Sequence, residues 1–88
     1  MQRKEKKALK PSSPFTPFRI EIDRKGRQIS VLASGISSIS EFSETRAILC
    51  SGEICVEISG KGLCIAVYEG GSAEVVGGVV NVGFVFQN

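Results

Sequence analysis

The sequence predicts a small all-β protein, and three features predict it. Apolar and polar residues alternate in several short runs, which places alternate side chains on opposite faces of a strand. The apolar content is 42%, with five Phe, one Tyr and no Trp, so any core is built mainly from Ile, Val and Leu. Branched side chains of that kind are stiff and pack well on a pleated surface. Strand signals also recur at intervals of roughly 8–12 residues, the cadence of an antiparallel meander closing into a sandwich or barrel. No stretch carries a long 3.6-residue apolar period, so negligible helix is expected beyond the N-terminal leader.

The 88 residues leave room for one domain and a tail. A domain this small buries only about 60% of the surface its unfolded chain exposes, so its stability is modest. Residues 1–17 read as a basic, Pro-containing, disordered leader, and 18–88 as the domain. Within residues 1–10, Arg3, Lys4, Lys6, Lys7 and Lys10 stand against Glu5 alone. The rest of the chain holds six basic and eight acidic groups, so the body is nearly neutral. Such a leader reads first as a solvated tail. Pro11, Pro14 and Pro17 then favour an extended linker. No secretory signal is evident and no apolar run is long enough to span a bilayer as a helix, so a cytoplasmic location is expected. Three cysteines fit that expectation, since an odd number leaves one thiol unpaired.

Phe18, Ile20 and Ile22 alternate with Arg19, Glu21 and Asp23 in a first strand, which the segment ending in Gly26 reverses. Ile29, Val31 and Ala33 continue the alternation until Ser34-Gly35. Ile36, Ile39 and Phe42 follow at a spacing of three, read as a strand with a bulge because the segment is β-branched and Ser-rich. With Ser51-Gly52 and Gly60-Lys61 as hairpin turns, Cys50 faces Glu53 and Ile58 faces Leu63. One face then holds Ala47, Leu49, Ile54, Val56, Ile58, Leu63, Ile65 and Val67. The other holds Ile48, Cys50, Glu53, Cys55, Glu57, Cys64, Ala66 and Tyr68. Gly70-Gly71 and Gly77-Gly78 are expected to turn the chain again around a short strand from residue 74 to 76. Val80, Val82, Phe84 and Phe86 alternate to the C-terminus.

Little in the chain suggests catalysis. It has no His, the side chain that most readily shuttles protons near neutral pH. Glu41, Glu44, Glu53 and Glu57 read as solvated charges rather than a general acid–base pair. Cys50, Cys55 and Cys64 lack the fourth ligand of a closed zinc site and read as small packing residues, with Cys55 and Cys64 diagonal on one face. Gly60-Lys61-Gly62 lacks the Ser or Thr and the following helix of a phosphate loop. No enzyme activity, cofactor or metal is therefore expected. Nucleic-acid binding is disfavoured by the slightly acidic body and by Phe18, Phe42, Phe84 and Phe86 at core positions. Contact of residues 1–10 with an anionic membrane is the other role open to the leader.

From Gly35 onward the spacing resembles the YabP/YqfC sporulation proteins of endospore-forming bacteria. Three segments carry the likeness: Gly35-Ile36, Ile39 and Phe42; then Ile58, Gly60, Leu63 and Ile65; then Gly77, Val79, Val82 and Phe84. This chain departs from the family pattern in having Ile54 where a Gly is expected, with Gly52 two residues earlier. The resemblance implies a role in spore development on the mother-cell side, without enzymatic activity. Apolar residues on both sheet faces and an uncharged C-terminal strand suggest association with a second copy or another sporulation protein. Ile48, Cys55, Tyr68, Phe84 and Phe86 are the expected interaction surface.

Overall fold

The computed structural model describes residues 17–86, and the leader's first sixteen residues lie outside that range. The chain is all-β. The described residues form six strands, β1 (Arg19–Lys25), β2 (Gln28–Ser34), β3 (Ser38–Phe42), β4 (Arg46–Ser51), β5 (Ile54–Glu69) and β6 (Ser72–Phe86). They form one antiparallel sheet in the order β1-β2-β6-β5-β4-β3. Strands β3 to β6 are a meander, and the β1–β2 hairpin is added beside β6.

The two longest strands make the sheet fold over on itself. Gly60-Lys61 and Gly77-Gly78, expected as turns, instead lie inside β5 and β6. They face each other, Gly60 opposite Val79 and Lys61 opposite Gly78, where the register shifts. A Cβ on Gly60 would sit 2.2 Å from the Gly78 carbonyl oxygen, and one on Gly77 would sit 2.7 Å from that of Gly62. Glycine is therefore required for the two backbones to approach at the bend. The β3–β4 turn satisfies the backbone there: Gly60 N–H donates to the Thr45 carbonyl at 3.0 Å and Leu63 N–H to Glu44 at 2.8 Å. Ser43 holds that turn, its hydroxyl accepting from the Thr45 and Arg46 amides.

The bend divides the sheet into two layers. One contains β1, β2, the first half of β6 and the second half of β5. The other contains β3, β4 and the remaining halves. Opposite the bend, only residues 35–37 link β2 to β3. At about 3.3–3.6 Å per residue, so short a link can join strands in stacked layers about 10 Å apart. Its amides tie both layers together: Ile36 donates to the Gly71 carbonyl at 2.9 Å and Ser37 to that of Cys50 at 2.7 Å. Gly35 occupies this corner at φ 80°, where a Cβ would lie 1.8 Å from the Pro17 oxygen. Between the layers lies the core of Val31, Ala33, Ile36, Ala47, Leu49, Val56, Ile58, Leu63, Ala73 and Val75.

Register explains which expected faces survive. The β4–β5 turn is Gly52-Glu53, one residue later than expected, so Cys50 faces Cys55 and Leu49 faces Val56. Moving a two-residue turn by one position changes each partner by two, which preserves the face. Ala47, Leu49, Val56 and Ile58 are accordingly all buried. In β5 the irregularity between Ile65 and Val67 reverses the alternation: Tyr68 pairs with core Ala73, whereas Val67 pairs with Glu74 and is 45% exposed. Ile54 and Ile65 are half-buried. The bulge expected in β3 lies between Ile39 and Glu41.

Candidate interaction surface

The five expected contact residues fall in three places. Ile48 and Cys55 are on the outer face of the β4–β5 hairpin. Ile48 is half-buried, and Cys55 is buried and bonded to Cys50. Phe84 and Phe86 are in register with Val56 and Ile54, on the core side of β6, yet stand 57% and 72% exposed beyond the rim of the sandwich. Tyr68 lies in the other layer, near the end of β5. No single face joins all five, because the bend separates Tyr68 from the others and alternation separates Cys55 from Phe84.

The cysteines also differ from expectation. Cys50 and Cys55 are directly opposed across a tight hairpin and form a disulfide; Cys64 is free and exposed, opposite Val76. Sequence reasoning missed the bond because a turn placed one residue early sets Cys50 against Glu53. Two Cys flanking a four-residue segment with a central Gly were the available signal.

Several charged side chains on the outer faces are engaged by neighbours. Arg46 Nε donates to Glu57 Oε2 at 2.6 Å and its guanidinium lies 3.6 Å from Glu41. Buried Ser30 donates its hydroxyl to Glu74, which also lies 3.8 Å from Lys25 Nζ. Among the described residues, no cluster of His, Cys, Asp and Glu could hold a metal ion. A broad cleft of about 790 Å³ opens at the linking corner, lined by small residues including Gly35, Ser37, Gly52, Gly71 and Ser72. The Arg19 side chain at its rim is engaged by Glu21 at 3.0 Å. This open cleft converges no set of reactive groups.

The second half of β6 is different. Past Gly78 it pairs with β5 on one side, while β2 has already left the other side at Gly77. Residues 79–86 thus form a free edge among the described residues. They carry no charge, and Val80, Phe84, Val85 and Phe86 are all exposed, Val80 to 79%. Phe18 covers part of this rim, its ring meeting Phe84 edge-on at 6.4 Å. Exposed Val80 and Val85 were absent from the expected surface, although both stand in the same uncharged run. Comparison with protein-family models, curated proteins and solved structures found no match to this chain.

Proposed function

We propose that the protein is a non-enzymatic sporulation protein of the YabP/YqfC type, acting through protein–protein association during endospore formation. The observation that carries association is the exposed, uncharged edge of β6. Unpaired backbone groups beside apolar side chains favour the addition of another strand. The placing of the shared motif supports the setting: Gly35, Gly60 and Gly77 occupy corners of the fold, while Ile36, Ile58 and Leu63 fill its core.

The working location is the mother-cell side, in the cytoplasm. Cys50–Cys55 makes this testable, because disulfides persist mainly in oxidising compartments. Trapping thiols at the moment of lysis should label three cysteines per chain in a cytoplasmic protein; a single labelled thiol, Cys64, would place it elsewhere. The functional test is to follow expression through sporulation and to cross-link the tagged chain in those cells. Expression confined to sporulation and a defined cross-linked complex are expected. Constitutive expression with no complex would overturn the proposal.

The cationic leader favours a second role, binding nucleic acid or an anionic membrane through residues 1–10. Retention on anionic vesicles or on nucleic acid, lost with added salt and with deletion of residues 1–10, is its expected signature.

A further inference from the structure

We infer that the free edge of β6 pairs with the same edge of a second copy, antiparallel about a two-fold axis, making one sheet continuous across the dimer. This rests on the association reading and names its partner. Charge distribution singles out this edge as the one able to pair with its own copy. The β1 edge carries Arg19, Glu21, Asp23, Arg24 and Lys25, the β3 edge carries Glu41, and the outer half of β5 carries Lys61 and Glu69. Charges of this kind discourage strand addition. Residues 79–86 carry none, so two copies of that edge meet without repulsion, and a two-fold arrangement closes the assembly at a dimer.

Backbone geometry says which residues would bond. The two-residue turn Gly52-Glu53 makes Ser51 and Ile54 a hydrogen-bonded pair, so Cys50 and Cys55 form a non-hydrogen-bonded one, consistent with their Cα separation of 4.0 Å. The backbone groups of Cys55 therefore point toward β6, where its partner is Val85. By alternation, Gly83 and Val85 bond to β5, while Val82, Phe84 and Phe86 direct their N–H and C=O groups to the free edge. Their side chains lie on the core side of β6, so pairing would also shelter the exposed Phe84 and Phe86 rings.

The test is sedimentation of the full-length protein across a concentration series, joined to amide hydrogen exchange resolved by residue. A dimer is expected in which Val82, Phe84 and Phe86 amides are protected and lose protection on dilution, while Gly83 and Val85 stay protected throughout. Phe84→Pro removes one outward N–H from each copy and is expected to weaken the dimer by roughly tenfold or more, the equivalent of two lost hydrogen bonds. Gly83→Lys provides a second variant. Its Cβ would meet nothing nearer than Asn81 Nδ2 at 4.0 Å, so the protomer accommodates it, whereas pairing would bring two lysines together near the axis. It too should weaken the dimer. A dimer unaffected by both variants, or one with unprotected Val82, Phe84 and Phe86 amides, would overturn edge pairing. A monomer at every concentration would overturn self-pairing; if a defined complex with another sporulation protein still forms in cells, the association reading stands without it.

Discussion

Gly35 and Gly26 both sit at positive φ, 80° and 67°, but their surroundings differ. Around Gly26 there is open space, so Gly26→Ala faces only the backbone penalty, on the order of 1–2 kcal/mol. At Gly35 the new methyl group would also collide with the Pro17 carbonyl. Urea unfolding should therefore show Gly35→Ala to be clearly the more destabilising of the two. The same comparison separates corner glycines from ordinary turn glycines. Removing the Cys50–Cys55 bond with a Cys50→Ser/Cys55→Ser pair should cost about 2 kcal/mol, because the loop it closes is short. Reductant should lower the stability of the native protein and leave the double variant unchanged. The pairing was hidden at the level of single residues: cysteine spacing alone does not reveal which side chain stands opposite which.

At the scale of elements, β5 and β6 are what turn a flat antiparallel sheet into two layers. Their bend depends on Gly60 lying opposite Val79 with the Gly78 carbonyl close against it. Gly60→Val should thus disturb more than one strand, because its side chain would enter the β6 backbone. A cooperative loss of the whole fold is expected in circular dichroism, rather than local fraying at the β3–β4 turn. Arg46 offers the opposite case. Its contacts with Glu57 and Glu41 lie on a partly exposed outer face, and such pairs contribute about 0–1 kcal/mol. Arg46→Ala should shift the urea midpoint slightly, and salt should narrow the difference. In the C-terminal run the expected alternation holds for Val82, Phe84 and Phe86, whereas Val80 falls at the register shift and is exposed while Val79 packs on the core. The alternation of β1 and β2 was legible in the sequence, as was the bulge in β3. The irregularity near Ala66 was not, since one extra residue reverses a face without altering composition.

At the scale of the molecule, the core of ten buried apolar residues among the described ones is small, and most of its members are Val, Ile or Ala. Leu49 and Ile58 are the largest fully buried side chains in it. Leu49→Ala should cost about 2–5 kcal/mol, measured by thermal or urea unfolding, a large share of the stability available to such a domain. Fold class, strand composition and most inward positions of the central hairpin followed from the sequence alone, because a period of two and β-branched content are local properties. Whether Gly60 and Gly77 turn the chain or bend it was decided only by tertiary structure. A glycine permits both, and the choice depends on whether another glycine stands beside it in the neighbouring strand. The same holds for the candidate surface: the uncharged run was visible in sequence, but its free edge exists because β2 parts from β6 at the bend.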